Sequence, residues 1–387
     1  SERCIDCGEC IRVCPHHAKK ARYDHLSVLE GWKYKIAIPA PALFGQFNNL
    51  DDIDIVLTGL KQMGFDDVYE VSRGAELVSD ATRKLMADGR LPKPVISSAC
   101  PAVVRLIRVR FPDLCDHVLN LNAPMEVSAM MAKRAARAFF ITPCPAKVTD
   151  IKMPIGTEGS WCDGAIAISE VFPLLSHRMD KLETVEPIGQ SGLIGVSWAG
   201  SGGESAALLN EKYLAADGIE NVIRVLEELE DERIRELDFV ELNACSGGCV
   251  GGVLCVENGY VAKARLQRLR KYLPVSQNHL DGGVPRDMEW TEPLEFAPVL
   301  KLSQNLEEAM QMMEEIDVIC EGLPGLDCGS CGAPSCRALA EDVVKGVART
   351  SDCVFVMREQ VKNVADTLSS IGGYVPSYLD SKEKQGN

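Results

Sequence analysis

Sixteen cysteines stand in 387 residues, and twelve of them fall into three spaced sets, so the first question is what these thiols hold. CIDCGECIRVCP places Cys4, Cys7, Cys10 and Cys14 directly before Pro15. A C-x2-C-x2-C-x3-C-P run on a tight turn lets thiolates converge on a 4Fe-4S cubane, and zinc is the weaker alternative. Cys14 either closes this cluster or serves a partner motif from an upstream segment. His16 and His17 read as plain polar neighbours. A second set, Cys328, Cys331, Cys336 and Cys353, lies in a loop kept open by Gly329, Gly332 and Pro334, with a helix from Cys336 carrying the chain back to Cys353. Its geometry alone allows a Cys4 zinc knuckle or an iron–sulfur cluster. The third set is dispersed: Cys100 in SSACP, Cys144 in TPCPAK, and Cys245 with Cys249 in ELNACSGGCVGG. Glycines 247, 248, 251 and 252 argue against a helix there. Four thiols suit a cubane, the bland alternative being unrelated buried cysteines. A cysteine nucleophile is the poorer reading, because no histidine sits near any of these loops. Cys115, Cys162, Cys255 and Cys320 stand alone and read as small buried hydrophobes.

Something must bring the dispersed thiols together, and the pattern along the chain says what. YKIAIPA, DVYEV, PVISSA, AFFIT, GLIGVSW and DFVELNA read as strands. Between them run helical patterns at 51–63, 74–86, 101–111, 124–137, 204–214 and 221–235, followed by 260–272. Strands alternating with helices predict an α/β fold with largely parallel sheet, in which loops beyond the strand C-termini share one crevice. The Pro-rich stretch 274–298 reads as a linker, with a small unit beyond it carrying helices at 305–316 and 336–347. The tail SKEKQGN reads as disordered.

Bulk composition narrows the function. A net charge of -15 offers no basic face to nucleic acid or an anionic membrane, and no apolar run approaches the roughly 20 residues of a membrane span. The reading is a soluble, cytoplasmic protein without a signal peptide; its start at Ser1 without a Met suggests a fragment or a processed chain.

With these motifs in view, three resemblances emerge. The first run is similar to bacterial ferredoxins. The stretch 328–353 resembles the small iron–sulfur domain of corrinoid iron–sulfur proteins and of ion-pumping ferredoxin oxidoreductases, which favours 4Fe-4S. SSACP, PCPAK and ELNACSGGCVGG, with GAEL and GVSWAGSGGESAAL in the right order between them, resemble the signature segments of the FeFe hydrogenase catalytic domain over nearly all of 30–273. That resemblance implies an α/β H-cluster domain with parallel or mixed sheets in two lobes, flanked by small iron–sulfur domains: 1–28 ferredoxin-like, 30–300 catalytic, 303–371 the C-terminal 4Fe-4S domain, and 372–387 the tail. It implies an H-cluster, a 4Fe-4S cubane joined to a diiron site carrying CO, cyanide and azadithiolate, beside two additional 4Fe-4S clusters. Cys100, Cys144, Cys245 and Cys249 would hold the cubane, Cys249 would bridge to the diiron site, and Lys147 would donate to a cyanide. The glycines of the third segment are expected to spare room beside the metal.

Departures from the family pattern matter as much. Where it has a proton-relaying cysteine beside Cys100, this chain has Ala99, which can neither donate nor accept a proton. Its relay glutamates are missing at Asp80, Ala81 and Thr82. Thr142 and Asn243 replace methionines, and Ala42 and Met125 replace the serine and glutamine lining the diiron pocket. This combination, with the C-terminal iron–sulfur domain, resembles the sensory FeFe hydrogenases, some of which continue into a PAS domain; the chain reads as a truncated member or one lacking PAS. The expected partners are dihydrogen and protons, maturases that build the H-cluster, and a redox or signalling protein such as a kinase or phosphatase system. A metabolic hydrogenase with another proton route and a non-enzymatic iron–sulfur assembly protein are the alternatives.

Overall fold

A computed structural model of the chain describes residues 4–133, 136–299, 302–303 and 305–372; the expected disordered tail lies outside them from 373 onward. Two compact units result, Cys4–Ala297 and a C-terminal one from Pro298.

Among the described residues the larger unit has seven strands: β1 (Lys35–Pro39), β2 (Asp67–Val68), β3 (Val95–Ile96), β4 (Arg137–Thr142), β5 (Gly164–Ala167), β6 (Tyr213–Asp217) and β7 (Phe239–Asn243). They form a four-stranded sheet in the order β2-β1-β4-β5 and a three-stranded sheet in the order β3-β7-β6. Every pair in both sheets is parallel, so the α/β expectation holds with parallel rather than mixed sheets. The central strands are covered on both faces, which is why Ala37-Ile38, Phe139-Phe140-Ile141 and Phe239-Val240 are continuous apolar runs, all almost fully buried.

Several elements differ from the sequence pattern. GLIGVSW is not a strand: Leu193–Ser197 is a short helix, and a Cβ on its Gly195 would stand 2.0 Å from the Ser72 carbonyl of helix Val71–Ala87. Two helices touching at a glycine look, in sequence, like any buried apolar run. The helix placed at 204–214 is only Gly203–Ala207; Leu209 turns the chain at φ 56°, and YLAAD then pairs along β7 as β6. β5 and helix Ile168–Met179 carry no signal that the pattern detected. The stretch 274–298 has little regular structure but is not a free linker: Met288 is 1% and Leu294 6% exposed, and Glu76 accepts hydrogen bonds from the Gln277 and Asn278 amides.

In the C-terminal unit, helices Leu306–Glu321, Cys336–Val344 and Val354–Gly372 surround a small core of Ile316, Leu323, Leu339 and Ala340. The first is capped by Asn305, whose side chain accepts from the Glu307 amide at 3.0 Å. Among the described residues no helix is long and apolar enough to cross a membrane.

Candidate metal centre

Parallel sheet makes the dispersed cysteines neighbours. Each of β3, β4 and β7 ends at one side of its sheet and hands the chain to a cysteine-bearing loop. Cys100 and Cys144 are the N-cap residues of helices Pro101–Arg110 and Pro145–Lys152, each with proline at its first turn, so both thiols stand at the positive end of a helix. Beyond β7 the third segment runs through Cys245 into the 3-10 turn Cys249–Gly251.

Its glycines are required by close backbone approach within the protein itself. A Cβ on Gly252 would lie 2.2 Å from the Pro143 carbonyl, and one on Gly248, at φ 92°, 2.4 Å from the Ser201 amide. These glycines let the third segment press against the backbones of the other loops, where Leu254 donates to the Pro143 carbonyl and Val250 to that of Ala199, each at 3.0 Å.

Electrostatically the four thiols form one group. Burial pushes the Cys144 thiol up to about 12, with Cys249 and Cys100 adding to the rise and Lys147 opposing it. Cys245 and Cys249 are raised by burial as well, Cys245 further by the other three thiols. Buried thiols that repel one another as thiolates need a cationic body between them, and an iron–sulfur cubane fits that requirement. Cys255, read as isolated, is not: its Sγ lies 3.7 Å from the Cys249 carbonyl, and the charges of Cys249 and Cys144 help burial to raise its pKa. Cys115 and Cys162 are buried small side chains as expected.

Beside this group a cavity is lined by Cys249, Lys147, Ala99, Met125, Asn243, Glu204 and Glu241, with Pro41, Phe140 and Trp198 supplying apolar wall. Lys147, 8% exposed, donates to the Ala99 carbonyl at 3.1 Å. Burial works to lower its pKa, but Cys249, Cys144, Cys100 and Asp150 outweigh that and keep it a cation. Next to the 3-10 helix Pro41–Gln46 the wall is Ala40 and Pro41, whereas Ala42 packs into the main apolar core. Thr142 serves the loop itself: its hydroxyl donates to the Cys144 carbonyl at 3.0 Å and accepts from the Cys144 amide at 3.3 Å. Asp80 is tied to Lys84 and to the Leu280 amide, Ala81 is fully buried, and Thr82 donates to the Val78 carbonyl.

Two carboxyls escaped the sequence reading. Glu204, 6% exposed, receives the Ser97 hydroxyl at 2.8 and 2.7 Å from its two oxygens; Glu241, 3% exposed, accepts from the Gly202 and Ser205 amides and from Asn243. Burial raises both, and Glu241 pushes Glu204 well above the ordinary carboxyl range. The signal was there: a glutamate inside the apolar strand FVELN must be partnered.

No cysteine of the other two sets lines this cavity. The charge of Cys10 adds to burial in raising Cys7, whereas the Cys14 thiol is lowered by the amides of Ala18, His16 and Lys19. Cys328, Cys331, Cys336 and Cys353 line one small recess in the C-terminal unit. Among the described residues no three His, Cys, Asp or Glu side chains converge as a single ion requires.

Residues 33–213 and 199–253 match the family described as the iron only hydrogenase large subunit, C-terminal domain, which spans more than half of the chain. The chain belongs to this family. Hydrogenase-domain residues are flanked by matches to a 4Fe-4S binding domain at 1–20 and an Fe-S cluster domain at 323–355. An NADP-reducing hydrogenase subunit of Solidesulfovibrio fructosivorans is 26% identical over 34% of this chain and 26% of its own length. Iron hydrogenase 1 of Clostridium pasteurianum is 21% identical over 54% of this chain and 46% of its own, so the chain spans less than half of either relative. A solved FeFe hydrogenase from Chlamydomonas reinhardtii shares the fold, with TM-score 0.53 at 16% identity over 67% of this chain and 94% of that one.

Proposed function

We propose that this hydrogenase-family chain is an FeFe hydrogenase of the sensory type. It interconverts dihydrogen with protons and electrons slowly and passes its redox state through 4Fe-4S clusters to a signalling partner. The observation that carries this reading is the cavity joining Cys249 and Lys147, with Ala99 on its wall in place of a relaying thiol. Cys100, Cys144, Cys245 and Cys249 would hold the cubane of an H-cluster, with Cys249 bridging to its diiron site. Bound there, the H-cluster supplies heterolytic cleavage of dihydrogen and storage of the electrons.

The protein's own groups then do three things. Lys147 holds an ammonium at the cavity wall, which suits an anionic cyanide. Pro41, Met125, Phe140 and Trp198 limit water. Burial, and then Glu241, raise the Glu204 carboxyl well above the ordinary carboxyl range, and Ser97 Oγ donates to that carboxyl while accepting from the Ala99 amide at 3.1 Å. Proton exchange with the cavity thus falls to a carboxyl pair instead of a thiol, which is also the observation favouring a metabolic enzyme with its own proton route.

Infrared spectroscopy of protein matured with the H-cluster maturases tests the reading. CO and cyanide bands are expected. Their absence from protein that retains its iron–sulfur signals would establish the assembly-protein alternative and refute the hydrogenase.

A further inference from the structure

The turn of the N-terminal cysteine run packs directly on the loops that carry the central cysteines. A Cβ on Gly8, at φ 80°, would stand 2.6 Å from Val253 and 3.5 Å from Pro145, so this turn touches both the segment after Cys249 and the residue after Cys144. Ile5 and Cys7 pack on the same apolar cluster as Cys100 and Cys144. Into this seam reaches Arg12, which stands between Cys10 and Cys14 in sequence. Its Nη2 donates to the Gly251 carbonyl at 2.8 Å, in the turn that begins at Cys249, and its Nε lies 3.2 Å from Glu9 Oε2.

We propose that Arg12 is a positioning residue for electron transfer, pinning the N-terminal run to the Cys249–Gly251 turn and holding a positive charge between the two sets of cysteines. The proposal rests on the reading that both sets hold 4Fe-4S clusters. One electron leaves one cluster as the other gains it, with no proton moved. Reduction adds negative charge, so the nearby guanidinium favours the reduced state and the Glu9 carboxylate opposes it. Arg12 is 38% and Glu9 43% exposed, so solvent and salt screen both effects.

The test is a potentiometric titration of the matured protein, followed by the paramagnetic resonance of the central and N-terminal clusters. At fixed potential and low salt, Arg12→Gln is expected to lower the reduced-to-oxidised ratio of the central cubane roughly two- to tenfold, tenfold being about 59 mV for a one-electron couple. Glu9→Gln should move the ratio the opposite way, Arg12→Lys should stay near the parent, and high salt should shrink every shift. Equal ratios in all variants, or shifts of the same sign in Arg12→Gln and Glu9→Gln, would overturn the proposal while leaving the cluster assignment intact. Missing cluster signals in the parent protein would instead overturn that assignment and the proposal with it. If Arg12→Gln sheds the N-terminal cluster, a raised ratio in Glu9→Gln with Arg12→Lys near the parent still supports the proposal, and an unchanged or lowered ratio in Glu9→Gln overturns it.

Discussion

At the scale of single residues, proton handling distinguishes this site. Ala99 has a methyl group where a thiol would relay, so Ala99→Cys should raise turnover of the matured protein, by roughly tenfold or more given what general acid–base groups contribute. Dihydrogen evolution assays check this, and an unchanged rate would mean the relay is not limiting. Glu204→Gln keeps the Ser97 hydrogen bond but cannot ionise; it should lose at least about tenfold in rate while its CO and cyanide bands stay in place. Asp150 bears on pH. Burial first, and then Glu126, raise its carboxyl from 3.8 to about 7, against Lys147 and Arg105. The fold therefore prefers it neutral: its contribution to stability is complete below its ordinary value and is lost as pH rises through about 7. Asp150→Asn should flatten this decline, on the order of 2 to 4 kcal/mol, so the melting midpoints of parent and variant should diverge as pH is raised from 5 to 8. Cysteine spacing made the ligand candidates legible in the sequence. Glu204 and Glu241 were not, because a buried carboxyl's role depends on neighbours from other strands and loops.

At the scale of elements, close backbone approach sets the geometry. Gly252 brings the third segment against Pro143, and its replacement by alanine forces the two loops apart, a strain of about 1–3 kcal/mol placed on the cysteine cradle. Gly252→Ala should lower the iron retained at the central site, whereas Gly159→Ala, where a Cβ meets nothing within 4 Å, should leave it unchanged. Iron counts and absorbance of the two purified variants decide. The same effect explains why GLIGVSW was misread: a helix that abuts Ser72 through Gly195 is apolar all round and has no clear period. The strands β1, β4 and β7 were legible because a doubly covered parallel strand is an unbroken apolar run.

At the scale of the whole molecule, the two units differ in how much apolar core they have. The larger unit has extensive apolar cores, whereas the C-terminal one has a short set of mostly small side chains, Ala333, Ala338 and Ala340 among them, around its four cysteines. So small a core is expected to gain much of its stability from a cluster bound by these four cysteines. Cys353→Ser should remove one cluster's iron and make residues beyond 298 sensitive to protease, with the hydrogenase domain still resistant; limited proteolysis with mass spectrometry reads both. The sequence by itself determined the chemical class, because covalent spacing within a turn fixes which thiols can share a cluster, and strand-then-helix alternation fixes a parallel sheet. Only the tertiary structure decided which carboxyls face the cavity, why the glycines are needed and where Arg12 reaches, because each of these depends on backbones far apart in the chain being brought within a few ångströms.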